Sequence, residues 1–148
     1  MSYRRRAIVT VAALLALALP ALALASTGTR KYNGNFGSPG EGVEFKVHTK
    51  NGHAKFVKLF EFHNIPAYCP GFGTTATTGE FDMKMTIDQD KKFHGTGKVV
   101  DSNSKVTIHG RLKDAEKKAR GTLHVTGPVS GCSNADTGIV HWKAHSVK

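Results

Sequence analysis

Between Gly79 and Thr126 three segments repeat one pattern: an apolar residue, a glycine two places on and, in two of the three, another apolar residue two beyond that. They read Phe93-His94-Gly95-Thr96-Gly97, Ile108-His109-Gly110-Arg111-Leu112 and Ala119-Arg120-Gly121-Thr122-Leu123. A period of two specifies strands with one apolar and one polar face. The intervening turns, Asp101-Ser102-Asn103-Ser104 and Asp114-Ala115-Glu116-Lys117, are short enough for adjacent hairpins. Centring them at Ser102/Asn103 and Ala115/Glu116 sets Gly95 against Gly110 and Gly110 against Gly121. It also sets Val99 against Val106, Ile108 against Leu123, Leu112 against Ala119 and Val106 against Val125, so inward residues meet inward partners. A row of inward glycines belongs to a sharply curved sheet, because side chains there would collide as it closes.

The first 25 residues are set apart from this fold. Arg4, Arg5 and Arg6 precede an apolar run from Ala7 to Leu19, and Pro20 is followed by small-residue cleavage positions ending at Ala25. This is the layout of a secretory signal peptide over 1–25, with an uncleaved anchor as the rival reading. It leaves 26–148 as a single exported domain with no further membrane span. That length supports one core and not two. Without the three arginines, 18 basic residues face 11 acidic ones, a formal charge of +7. Such a balance favours attraction to polyanions and names none of them. Cys69 and Cys132 form an even pair in an exported chain and read as one disulfide. Closing so long a loop removes roughly 4 kcal/mol of entropy from the unfolded chain on the entropic account.

In chain order, a first strand is expected from Lys31 to Asn35 and a second with Val43, Phe45 and Val47 inward. Asn51-Gly52 is a hairpin signal. The third strand, Ala54 to Phe62, is apolar on both parities. Pairing Val47 with Phe56 would put Lys58 inward opposite Phe45, a conflict that a bulge between Val57 and Phe60 resolves. Failing that, the outward apolar residues mark an interaction patch. The segment from His63 to Thr78 reads as loop. A fourth strand carries Phe81, Met83, Met85 and Ile87 inward, with methionines filling the space beside glycines. After strands at 93–100, 105–113 and 118–126, a second long loop spans Gly127 to Thr137. The last strand, Gly138 to Ser146, turns Val140, Trp142 and Ala144 to one face. The expected fold is all-β: an eight-stranded antiparallel up-and-down meander forming a small barrel or a strongly curled sandwich.

The signal segment, the Gly-x-apolar strands and the ending Cys132…Gly138-Ile139-Val140-His141-Trp142-Lys143-Ala144 resemble small exported β domains of unknown function in high-GC Gram-positive bacteria. The resemblance implies a disulfide from the loop between strands three and four to the segment before the last strand, and Trp142 in the core. It implies no activity. In outline the chain is similar to avidin-like and lipocalin-like barrels, whose signature residues it lacks.

Candidate sites follow from this layout. The disulfide-bearing end gathers the long loops, so Phe36, Tyr68, Phe72, Asn134 and Asp136 are expected around a mouth for a small molecule or glycan. The same aromatics would serve equally to plug the open end of a narrow barrel. On the outer face the assumed register sets His109 opposite Thr96 and Thr122, with His94 and His124 on its diagonals, where imidazoles could share a copper or zinc ion. Histidine gains charge in mild acid, which would strengthen polyanion binding by the same stripe. Arg111 and Arg120 are expected opposite each other on this basic face, suited to an anionic cell-envelope polymer rather than a specific nucleic acid. No nucleophile, metallohydrolase or phosphate-loop motif is present. The chain therefore reads as a monomeric, cofactor-free binding module. Acid–base catalysis by His63 with a carboxylate is the remote alternative.

Overall fold

In the computed structural model, which describes residues 26–147, the chain is all-β, with ten antiparallel strands and no helix among the described residues. The expected signal peptide lies outside them. The strands are β1 (Thr27–Asn35), β2 (Gly42–Lys50), β3 (His53–Cys69), β4 (Gly73–Phe81), β5 (Met85–Thr86), β6 (Lys92–Lys98), β7 (Lys105–Lys113), β8 (Lys118–Val129), β9 (Cys132–Asp136) and β10 (Val140–Val147). β10 pairs with both β1 and β8, so hydrogen-bonded pairings close into a ring through β1, β2, β3, β9, β8 and β10. β6 and β7 extend from β8, and β4 and β5 lie on β3.

Ten strands replace the expected eight because two presumed loops are strands. β3 continues through Pro66 to Cys69 and turns back as β4, and β9 lies inside the segment expected to be the second long loop. Proline is tolerated in β3 because β2 reaches only as far as His63, leaving one edge of Pro66 without a partner that needs its amide. An irregularity between Phe62 and Ile65, with Asn64 at φ 56°, marks the bend. There the Asn64 amide donates to Thr78 Oγ1 at 3.0 Å and its side chain donates to the Gly40 carbonyl at 3.0 Å. Beyond the bend, Ala67, Cys69, Cys132 and Ala135 form a small separate cluster around the Cys69–Cys132 disulfide, whose Cα atoms lie 5.9 Å apart. The strand expected over Phe81 to Ile87 is broken: Phe81 ends β4, Met85 and Thr86 form β5, and Met83 between them is exposed rather than inward.

The bulge required between Val57 and Phe60 is present. Phe45 pairs with Phe60 and Lys46 with Lys58, leaving Leu59 unpaired at φ 59°. A second irregularity between His48 and Thr49 shifts the register again, so Val47 faces Val57 and Phe56 turns outward instead of inward. The β7–β8 register is as expected, with Gly110 opposite Gly121 and Ile108 opposite Leu123. The β6–β7 register is offset by two: Phe93, not Gly95, faces Gly110, and Gly97, not Val99, faces Val106. The turn is centred earlier than assumed, with Asp101 at φ 55° and Val99 and Ser104 joined by a backbone hydrogen bond. Inward parity survives the offset. Gly95 lies beside Met85, whose sulfur would be 2.7 Å from an added Cβ, so a methionine does fill the space beside a glycine.

Inside the ring Tyr32, Phe45, Phe60, Phe93 and Trp142 pack as one aromatic group. Tyr32 stacks on Phe45 with centroids 4.8 Å apart, and Trp142 meets Phe45 edge-on at 5.6 Å and Phe60 at 5.5 Å. Burying each ring contributes about 1.5–3 kcal/mol. This group sits so close to the sheet that side chains are excluded at two paired positions. A Cβ on Gly110 would lie 2.2 Å from Phe93 Cζ, and one on Gly121 would lie 1.9 Å from the His109 carbonyl oxygen and 2.5 Å from Trp142 Cζ2.

The opposite end is held by one carboxylate. Asp114, Ala115 and Glu116 take φ values of 49°, 53° and 65° in succession, a left-handed turn that costs about 1 kcal/mol or more per non-glycine residue. Glu116 is nonetheless buried. Its carboxylate accepts from Lys91 Nζ at 2.7 Å, the Ala54 amide at 3.1 Å and Arg30 at 3.2 Å, and its carbonyl accepts from Arg30 and the Tyr32 hydroxyl. The β7–β8 turn is thereby tied to β1, β3 and the β5–β6 connection. Burial alone would raise the Glu116 pKa, but Lys91, the Ala54 amide and Arg30 outweigh it and hold the value below the ordinary one near 4.5.

A group depressed in the folded state contributes stability above its unfolded pKa and loses it as pH falls through the folded value. Chemical denaturation followed from pH 7 downward should therefore show stability declining below about pH 4.5. Glu116→Gln should cost about 1.5–3 kcal/mol at neutral pH and flatten that decline. Gly121→Ala should destabilise by about 3 kcal/mol or more, because a backbone carbonyl has to move, whereas Thr107→Val on the outer face should cost less than about 1 kcal/mol. Equal losses for Gly121→Ala and Thr107→Val in urea titrations would show that the inner face is not close-packed at the glycines.

Candidate anion-binding face

β6, β7, β8 and β10 lie side by side in that order. They contain eight lysines and arginines, five histidines and no carboxylate. Their inner positions hold apolar residues, glycine and, at Ser146, a small hydroxyl, so strand alternation sends the cations to one outer surface. The registers align them. Lys92 faces Arg111, Arg111 faces Arg120, and Arg120 faces Lys143, giving four cations in one crosswise row spanning four strands. At the usual strand spacing the row is roughly 14 Å long. His94, His109, Thr122 and His141 form the neighbouring row.

Few carboxylates balance this surface. Asp90 lies 3.5 Å from Lys92 and Asp114 lies 2.9 Å from Lys118, while the Arg111 Nε donates to the Asp90 carbonyl at 3.2 Å. Among the described residues no acidic group lies within 4.0 Å of Arg111, Arg120 or Lys143. Like charges directly opposite in a sheet are destabilising, by about 0.2–1 kcal/mol per pair. Beside the row, where β1 ends, Phe36 borders a cleft of about 590 Å³ with Arg111, Arg120, His141 and Lys143 around it and Gly121 and Trp142 among its lining. An anionic group there would meet arginine forks on one side and an aromatic ring on the other.

The expected mouth is distributed differently. Phe36 packs partly against the main core and opens on the cationic cleft, while Tyr68 and Phe72 stand exposed at the β3–β4 hairpin and complete neither a mouth nor a plug. Asn134 is exposed on β9. A larger cleft of about 900 Å³ does lie at the disulfide end, but its lining of Thr77, Ser102, Asn103, Ser104, Ser130 and neighbours excludes those two aromatics. Asp136 accepts from the Gly138 amide at 2.7 Å and pairs with His124 Nε2 at 2.8 Å. Those two bonds, the amide first, hold the Asp136 carboxyl below its usual range.

The histidines are arranged more simply than a metal site. His94 lies directly opposite His109, where Thr96 was expected, and the two rings stack with centroids 6.1 Å apart. His124 is engaged with Asp136, and among the described residues no group of three or more His, Cys, Asp or Glu is arranged to hold a metal ion. His63 lies 3.9 Å from Glu61, with both side chains substantially exposed.

Sequence reading sets Arg111 against Arg120 but does not bring Lys92, Lys143 and His141 beside them. Their common signal is the lack of acidic residues in 92–100, 117–135 and 137–148, visible in the chain once the strands are known to be adjacent. Comparison with protein-family models, curated proteins and solved structures found no match.

Proposed function

We propose that this is an exported, monomeric, non-catalytic binding module that attaches to an anionic cell-envelope polymer through the outer face of β6, β7, β8 and β10. The observation that carries the reading is the segregation of charge: four adjacent strands with cations in register and no carboxylate, in a protein whose 11 acidic residues all lie elsewhere. A solvated surface chosen only for solubility intersperses its signs. We read the ring of pairings as a small closed barrel, supported by the bond from the Val100 amide to the Glu80 carbonyl, 2.8 Å, which links the β6 side to the β4 side. A closed scaffold of that kind holds the cation row at fixed spacing, which favours a polymer presenting repeated negative charge over an isolated anion.

Retention on immobilised heparin, as a sulfated polysaccharide, tests this. Arg111→Gln with Arg120→Gln should elute at clearly lower salt than Lys50→Gln with Lys55→Gln, which removes the same charge from exposed positions elsewhere. The arginine pair variant should also hold or raise its melting temperature at low salt, since a like-charge pair is relieved. Equal elution of the two double variants would mean that net charge alone acts and that the face is not a site.

A further inference from the structure

A second surface, sharing no residue with the cationic face, is assembled by the two register shifts in the β2–β3 pairing. Simple alternation cannot turn both Phe56 and Leu59 to the same side, because they are three residues apart. The shifts do so. Leu59 is the unpaired residue of its bulge and sits at φ 59°, a conformation that glycine or asparagine adopts far more readily than leucine. The strained residue is not there to fill the core, which at this level is closed by Val57 and Phe60. Its side chain instead borders an outer cleft of about 520 Å³ with Phe56, Lys46, Lys58, His48 and Asp82.

The cleft combines apolar walls with unbalanced positive charge. Lys46 and Lys58 are directly opposite in the register. Among the described residues neither has a carboxylate within 4.0 Å, Asp82 included, and Glu44 in the next row is engaged by Lys31 at 2.8 Å. Phe56 is held in place by His48, stacked at 4.7 Å, and by Lys84, whose ammonium lies 4.7 Å from the ring centre. Two lysines and one fixed aromatic thus border the cleft beside a leucine kept in an unfavourable backbone conformation, with Asp82 the one carboxylate in the lining. Backbone strain of this kind persists where the surrounding structure over-determines it, and functional sites are where it clusters.

We infer that this cleft is a binding site for a small organic anion with an apolar body, whose charged group lies between Lys46 and Lys58 and whose body rests on Leu59 and the rim of Phe56. Its size falls within the usual range for small-molecule sites. Charge complementarity selects an anion over a neutral hydrophobe, and the two lysines provide point charges suited to a carboxylate, sulfonate or phosphate alike.

The test uses anilinonaphthalene sulfonate, an anion on an aromatic body, alongside the uncharged phenylnaphthylamine, each titrated by fluorescence into the purified protein. The sulfonate should saturate a single site. Leu59→Asn should weaken it by about fivefold or more while leaving the melting temperature unchanged or raised, since asparagine accepts the positive φ. Lys58→Gln should weaken the sulfonate by about threefold and leave the uncharged probe unaffected. The inference is overturned if sulfonate binding does not saturate, if Leu59→Asn binds as the parent does, or if both probes respond equally to Lys58→Gln. A melting temperature lowered by Leu59→Asn would assign the leucine to the fold and overturn it too. Loss only in Arg111→Gln with Arg120→Gln would place the sulfonate on the other face, with the same consequence.

Discussion

The contact between an aromatic interior and bare backbone governs the rest of this structure. Trp142 and Phe93 lie where the Cβ atoms of Gly121 and Gly110 would be, so the sheet can approach the rings more closely than any side chain would permit. The closeness gives the sheet its curvature, and the curvature allows β10 to reach β1 on one edge and β8 on the other. An interior filled in this way has no space for a ligand among the rings. The clefts lie outside the rings, on the outer face beside Leu59 and at strand ends, where Phe36 and the Ser/Thr-rich lining are found.

Electrostatics divide the molecule along a different line from packing. At the β7–β8 turn one glutamate gathers Lys91, Arg30 and a backbone amide, so both cations have a carboxylate partner and the turn is held against its own backbone preferences. On the neighbouring strands Lys92 and Lys118 have acidic partners at 3.5 and 2.9 Å, but the centre of the cation row has none among the described residues. The same chain thus spends one acid on a buried junction while leaving Arg111, Arg120 and Lys143 without any. A structural role accounts for Glu116 completely. It does not account for the unneutralised row, which weakens the sheet that carries it.

Much of the scaffold was legible in the sequence because its signals are local. Alternation around Gly110 and Gly121 specified the β7–β8 register, Asn51-Gly52 marked its hairpin, and the clash of Lys58 with Phe45 required a bulge that Leu59 supplies. Failures came where non-local context overrides local chemistry. Pro66 and its neighbours up to Cys69 read as loop because a proline's compatibility with a strand depends here on β2 ending early, a fact located elsewhere in the chain. The β6–β7 offset arose because Asp101 adopts a left-handed conformation, which shifts the turn without disturbing the inward parity used to judge it. Site residues were harder still. Arg111 and Arg120 lie on consecutive strands, so their opposed placement is legible. Lys143 joins their row only because β10 skips β9 to pair with β8, and Lys92 only through the corrected β6–β7 register.

The small cluster around Cys69 and Cys132 is packed apart from the main core and contains few apolar side chains of its own. Its two hairpins share a single backbone pairing, Tyr68 with Asp136, besides the covalent link and the packing of Ala67 and Ala135. Regions with few buried apolar contacts open at lower free energy than a packed core, so the annex depends on its sulfur bond where the aromatic group depends on burial. Oxidation state therefore sets the outline of the molecule at that end, and a reducing environment would loosen the walls of the polar cleft beside it without dissolving the domain.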